Sequence, residues 1–345
     1  MKRILSAIAA IFCCVSMSVA QTNFIATLQH DSDFRHFYGQ GALIAAYAAA
    51  VDGDIITLSP GTFTWSGNFE KGITLRGNGI DAAEAEKTYI SGTVNFYSKS
   101  SSRKTVVEGV WFTGGVYVYN DASGDGQGHI SFIKDNITTM HAGSSSQFSE
   151  ISGPKVRIYS CKVGDTSFGK NTYPDFVFCN CRVRNPTGSY ENFGSNISAF
   201  INCYIDYYYY YSINYGRPDQ AYYLNFYNCI FTPNSNSSKL PSTASCFNCL
   251  CSTSSSIFFN DLKSGSNIDC RTVGSDIFTG SFGISPLTED AKSTYIGTDG
   301  TEIGIYGGMY PWNTTVQYPT ITTFLPENKT SKEGILNLQV AVDEE

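Results

Sequence analysis

The chain has 345 residues, a formal net charge of −7 and only 15% charged residues, together with 32 glycines, 23 tyrosines, 23 phenylalanines and 11 cysteines. No basic stripe is available to displace counterions from phosphates, which argues against a nucleic-acid partner, and the global sign disfavours a strongly anionic polysaccharide unless a local basic patch overrides it. Plentiful glycine and aromatic residues without long helix-period segments point to one extended all-β domain rather than two globular ones.

The chain opens with Lys2 and Arg3, an apolar run from Ile4 to Cys14 and a Ser-Val-Ala end at Ala20. A charged start, a short apolar core and a small-residue end predict a secretory signal peptide over 1–20, cleaved before Gln21, and hence a secreted, periplasmic or cell-surface protein. Phe12 and Cys13 are unsuited to the small residue that lipidation before Cys14 wants, and no later run is long and apolar enough to span a bilayer. From Gln21 to Gln40 the letters are polar and aromatic. His30, Asp31, Asp33 and His36 are metal-ligand types, but a solvated lead-in is the simpler reading of HDSDFRH.

Gly41 to Val51 predicts a helix closed by Asp52-Gly53. Strand signals follow at Ile55–Leu58, Ile73–Leu75, Thr105–Phe112, Val116–Tyr119 and Ile130–Ile133, separated by Gly, Ser and Asn clusters. The Ser-rich stretches Ser98–Lys104 and Ala142–Gly153 read as projecting loops, either merely solvated or walls of a groove.

From Ile158 a phrase recurs: IYSCKV, FCNCRV, FINCYI, FYNCIF and CFNCLC, ending at Cys251, with spacings of about 20 to 26 residues, the range of one solenoid coil. Weaker versions extend it to Asn136-Ile137, Gly109-Val110 and Gly72-Ile73 upstream and to Asp269-Cys270 downstream. Asn180, Asn202, Asn228 and Asn248, with Gly and Asp at the ends of the series, tolerate a left-handed backbone, so they predict one tight corner repeated in a column. Cys161, Cys181, Cys203, Cys229 and Cys249 share one place in the repeat. In an exported protein a disulfide framework is the first expectation, but equal places in a stack give parallel side chains, and a buried ladder of mostly reduced thiols fits better. Cys251 shares the face of Cys249, whereas the facing of Cys179 and Cys246 stays open.

Tyr204 to Asn228 carries ten tyrosines. Some must point outward, either as a platform for sugar rings or as a ladder that stiffens a sheet. Beyond Cys270 the period fades; Gly297 to Trp312 is turn-like, and Leu336, Leu338, Val340 and Val342 alternate as a half-buried strand suited to covering the last coil.

The N-C-x-apolar corner, together with the opening AAYAAAVDGDIITLSPGTFTWSGNFEKGITLRGNG at Ala45–Gly79, resembles the right-handed parallel β-helix of the pectate-lyase-like superfamily over about Gly41 to Asp290. The resemblance implies a solenoid of nine or ten coils, with a capping helix at the N-terminal end, capping strands at the C-terminal end, and Asn side chains stacked at one bend. The expected layout is a signal peptide at 1–20, the β-helix with its N-terminal cap at 21–295 and a C-terminal cap or tail at 296–345. On reaction the resemblance is nearly silent, since one fold serves lyases, hydrolases and adhesins. Lyases on it use carboxylates, often with Ca2+, plus an Arg or Lys base; hydrolases use close Asp pairs. Neither signature is present, and Arg217-Pro218-Asp219 and Gly126-Gln127-Gly128-His129 depart too far for roles to be carried over. No cofactor is therefore assigned, with Ca2+ implied only for a lyase.

Counting back from the corner asparagines places Lys170, Asn192 and Arg217 at nearly equal offsets, flanked by Tyr190, Glu191, Tyr215 and Asp219. These seven form the candidate groove, able to seat a sugar chain by charge-assisted hydrogen bonds or simply to pair across a solvated face. The functional expectation is a monomeric, surface-associated or secreted carbohydrate-binding β-helix; the alternatives are a polysaccharide lyase or glycoside hydrolase with an unrecognised site, and a structural or adhesive solenoid.

Overall fold

The computed structural model describes residues 24–98, 102–120, 128–142, 155–168, 175–184, 186, 198–206, 224–233, 240, 244–252, 258–259, 262, 267–312, 320–326 and 338–343. The chain divides into two compact units, Met1–Pro311 and Trp312–Glu345. In the second, Thr320–Pro326 and Leu338–Asp343 pair as an antiparallel ribbon.

The first unit is a parallel β-solenoid. Short strands alternate between two long sheets as the chain advances. Sheet 1 has twelve strands, of which ten, from Ile55–Leu58 to Asn267–Ile268, run parallel; sheet 2 follows a path of ten from Gly61–Thr64 to Arg271–Val273, and the extra strands Asn68–Phe69 and Val94–Ser98 pair beside Trp111–Asn120. Alternation along each strand turns every second side chain inward, and the register stacks them into columns. In sheet 1 the column reads Ile56, Leu75, Val107, Phe132, Ile158, Phe178, Phe200, Phe226 and Cys246. All are buried, with Phe178, Phe200 and Phe226 stacked at 4.6 and 5.0 Å between ring centres.

The corner between the sheets is the predicted left-handed turn. Asn180, Asn202, Asn228 and Asn248 have φ of 52 to 54°, and each donates its backbone N–H to the next coil. Two upstream assignments are corrected. Lys134, with φ 52°, holds the corner where Asn136 was expected, and Gly77–Gly79 holds the one expected at Gly72. The stretch Thr105–Phe112 is likewise not one strand, because the Gly109 corner, φ 73°, splits it into Lys104–Glu108 and the start of Trp111–Asn120.

Cys161, Cys181, Cys203, Cys229 and Cys249 follow these corners and are fully buried in one column. Each donates its thiol to the carbonyl two residues back at 3.3 Å. Cys246 and Cys251 also face the core, whereas Cys179 is half-buried. Burial raises Cys161 and takes Cys179 and Cys251 up to about 12, so these three thiols stay protonated at neutral pH.

The polar lead-in is an antiparallel pair, Ile25–His30 with Asp33–Tyr38, that extends sheet 1 through Ile55–Leu58. Ala26 and Leu28 turn inward on alternate positions, while the charged letters fall on the outer edge strand, where Asp33, Arg35 and His36 are exposed and discourage further pairing. His30 Nδ1 lies 2.6 Å from Asp54 Oδ1, and that hydrogen bond followed by the carboxylate charge raises its pKa. Helix α1, Ala42–Ala49, buries Leu43 and Ala46 in the core. Lys71 Nζ donates to the carbonyls of Tyr47, Ala48 and Ala50 at 2.6, 3.2 and 2.8 Å, placing a cation where the helix dipole is negative.

The turn-like segment after Cys270 becomes a strap over the corner column, running opposite to coil order. Asn248 Nδ2 donates to Ile296 O at 2.8 Å, Asn228 Oδ1 accepts Thr298 N–H at 2.9 Å, and Asn202 Nδ2 donates to Asp299 Oδ2 at 3.1 Å. Asn180 Nδ2 donates to Ile305 O at 3.0 Å and to Gly307 O, and Ser160 Oγ to Tyr310 O at 2.9 Å. Buried Ile303, Ile305 and Leu287 give the strap an apolar underside, and Tyr204, Ile230 and Leu250, which point outward from sheet 2, are buried with them.

Candidate functional site

The predicted groove residues Lys170, Tyr190, Glu191, Asn192, Tyr215, Arg217 and Asp219 lie outside the described residues. Of the tyrosine run, the described members are not a free platform. Tyr204 is buried and accepts a hydrogen bond from Thr232 Oγ1 at 2.9 Å, and Tyr227 stacks on Phe247 at 4.9 Å.

An aromatic and polar strip does occupy the outer face of sheet 2, further upstream. In Val94–Ser98, Val94 and Phe96 turn inward, so Asn95 and Tyr97 turn out; in Trp111–Asn120, Val116 and Val118 turn inward, so Tyr117 and Tyr119 turn out. A register shift between Phe112 and Gly115 re-aims the strand between these two stretches. Pairing then aligns Asn68, Asn95, Tyr117 and His141 in one outward column and Tyr97 with Tyr119 in the next. The rings stack on one another: Tyr97 on Tyr119 at 5.0 Å, Tyr117 beside Tyr119 at 6.0 Å, and Tyr117 on His141 at 4.4 Å with planes 16° apart. Asn95 Nδ2 donates to Asn68 Oδ1 at 3.2 Å. One coil on, Asp165 lies in register with Thr139, two places along the strand from His141, and Arg184 of the following coil grips it through two hydrogen bonds of 3.3 and 3.1 Å.

This geometry decides what the strip can do. Each of these four rings has a face against a neighbouring ring, and the ring edges present phenol hydroxyls and an imidazole to outside molecules, beside the amides of Asn68 and Asn95. Burial lowers the pKa of His141 and raises that of Tyr119, which leaves the imidazole neutral and the phenol protonated near pH 7. The strip is therefore a row of neutral donors and acceptors ending in a guanidinium–carboxylate pair.

Next to it, nearer the corner, a third outward column reads Tyr89, Trp111, Asn136, Lys162 and Arg182. Lys87 sits 3.9 Å from the centre of the Trp111 ring and pairs with Glu84 at 2.6 Å; the Trp111 indole N–H is buried without a hydrogen-bond partner among the described residues. Burial raises the carboxyl of Asp81 against the opposing pull of Lys134, and burial raises Tyr306 against that of Arg182. Among the described residues, no group of three or more His, Cys, Asp or Glu side chains is arranged to hold a metal ion.

The strip was half-legible. Its alternation is plain in VNFY and VYVY, but bringing Tyr97 beside Tyr119 needs the register that the Gly114-Gly115 irregularity sets. Comparison with protein-family models, with curated proteins and with solved structures finds no match to this chain.

Proposed function

We propose that the protein is an exported carbohydrate-binding solenoid that seats an extended polysaccharide along the outer face of sheet 2. The observation that carries this reading is the in-register pair of columns Asn68, Asn95, Tyr117, His141 and Tyr97, Tyr119. A rung spacing of roughly 4.8 Å repeats hydroxyl, amide and imidazole edges along the coil direction, which suits a chain of hydroxyl-bearing rings. Recognition is by hydrogen bonds at ring edges, with Asp165 and Arg184 at one end of the strip. The signal-like N-terminus supports export, and the corner phrases with the Ala45–Gly79 opening support kinship with pectate-lyase-like β-helices.

The test is calorimetric titration with a panel of neutral and acidic polysaccharides. Tyr119→Ala and His141→Ala should each weaken binding at least about tenfold, about 1.4 kcal/mol, with unchanged unfolding midpoints, while Tyr227→Ala on sheet 1 leaves binding intact. Equal affinity in all four proteins removes the strip from the reading. Release of unsaturated or reducing ends from the same panel would make the protein an enzyme rather than a binding module.

A further inference from the structure

The outer face of sheet 1 carries an apolar stripe beside the corner. Its outward column passes the ion pair of Arg76 and Glu108, 3.3 Å apart, and then runs through Ile133, Tyr159, Cys179, Ile201, Tyr227, Phe247 and Ile268 without a charge. In the next outward column, Val177, Ala199, Asn225 and Ser245 stand beside its middle, small and uncharged. The stripe is half-buried as far as Phe247, and Ile268 is 44% exposed. The strap borders it with Ile296, Met309 and Tyr310, which are 49, 83 and 42% exposed. Ile296 O accepts the side chain of Asn248, the residue after Phe247, and the Tyr310 ring lies 4.4 Å from that of Tyr159. Four of the eight most exposed large apolar side chains among the described residues therefore gather along one line, which is more than scattered surface hydrophobes explain.

We propose that this stripe is the interface of a two-fold symmetric dimer, in which a second copy of the chain lies antiparallel against sheet 1. The column gives a charged partner nothing to pair with, so binding here comes from burial of apolar surface. Its side chains repeat every rung, roughly 4.8 Å, over a length of roughly 29 Å, and another solenoid of the same rise offers knobs at the same repeat along that whole length. Two columns roughly 6.8 Å apart and the edge of the strap make a patch on the order of 500 Å². Two copies then bury roughly 1,000 Å², the lower bound for a specific pair. A two-fold axis along the strand direction at Ile201, the central rung, sets Tyr159 opposite Phe247 and the Ile296 end of the strap opposite its Tyr310 end. Arg157, the one charge in the flanking column, meets Ser245 rather than a like charge. The glycan strip lies on sheet 2 and stays open, so one dimer carries two strips.

The experiment is sedimentation equilibrium of the full chain over a range of concentrations, with hydroxyl-radical footprinting of the same samples. The expected result is a reversible dimer. Ile201→Lys places two lysines at the axis of each dimer and should weaken association about a hundredfold, tenfold from each copy, while Lys162→Ala on sheet 2 leaves it unchanged. Tyr227, Phe247 and Met309 should lose reactivity toward radicals as the dimer forms, and this footprint of the unsubstituted protein stands even if Ile201→Lys fails to fold. A monomeric mass up to about 100 μM would overturn the assignment, and a stripe already protected in that monomer would hand it to the chain's own residues. A dimer that tolerates Ile201→Lys, or that leaves the three side chains reactive, would place the interface elsewhere and overturn it equally.

Discussion

At four corners a backbone N–H turns toward the core, away from solvent, and the residue after the left-handed turn supplies the partner for the coil before. Cys181 N donates to Cys203 Sγ and Cys229 N to Cys249 Sγ, both at 3.4 Å. This is why cysteine recurs where valine would pack as well: the thiol accepts the inward N–H and donates to a carbonyl in the same small volume. Asp135 occupies the same place with a carboxyl group, accepting Val110 N–H at 2.6 Å and Ile133 N–H at 3.0 Å, and donating its own N–H to Cys161 Sγ at 3.3 Å. Burial pushes its pKa well above the ordinary range, with the two N–H groups pulling the other way. Because the folded value exceeds the unfolded one, the folded state binds the proton more tightly; the resulting stability is present in acid and is lost as pH rises from about 4 through the folded value. Asp135→Cys makes the column all thiol at this point, and its stability relative to the unsubstituted protein should rise between pH 4 and pH 8 by on the order of 1 kcal/mol or more. Urea unfolding of both proteins across that range measures it, and a flat difference would mean the carboxyl is ionised in both states.

Among the elements, helix α1 shows how a local signal depends on a distant partner. Its eight residues are too few to hold a helix alone; Leu43 and Ala46 anchor it, and Lys71 closes its C-terminal end. Lys71→Met keeps an apolar stem but removes the ammonium group that lies 4.8 Å from the centre of the Tyr47 ring, and with it three hydrogen bonds to carbonyls, and should cost about 1 to 2 kcal/mol by chemical denaturation. The helix itself was legible from its alanines, but Lys71 was not, because nothing local marks a lysine some twenty residues on as its partner. The same division holds elsewhere. The Asn-Cys coils could be read because their letters repeat at a nearly constant period, whereas the Lys134 corner was missed because lysine gives no sign of a left-handed backbone. The strap's partners lie from 48 residues away, as with Asn248 and Ile296, to 150, as with Ser160 and Tyr310, and no periodicity links them. Of the site, the strand Val116–Tyr119 was legible but Val94–Ser98 was not, the outward tyrosines were expected in Tyr204–Asn228, and pairing register alone brings Tyr97 beside Tyr119.

For the solenoid unit as a whole, stability is close to a sum of coil and neighbour terms, and the strap adds a long-range term to it. Gly304, φ +95°, donates to Asn228 O at 2.9 Å, and a Cβ there would collide with Ile230 Cδ1. Gly300, φ +82°, has open space around it. Gly304→Ala should therefore lose about 1 to 2 kcal/mol more than Gly300→Ala, since both bear the backbone strain and only one meets a packed neighbour. Denaturation midpoints with equal m-values make the comparison. The strap has a further consequence for how such a molecule changes length. A solenoid accepts an extra coil readily, because a duplicated coil brings its own corner and its own core residues. A strap tied rung by rung to Ser160, Asn180, Asn202, Asn228 and Asn248 does not, since a coil inserted among them leaves it short by one rung, roughly 4.8 Å, until it gains one or two extended residues. The strap thus works as a ruler: within its span, gene duplication of a coil and lengthening of the strap must occur together, and coils are freer to multiply upstream of Ser160.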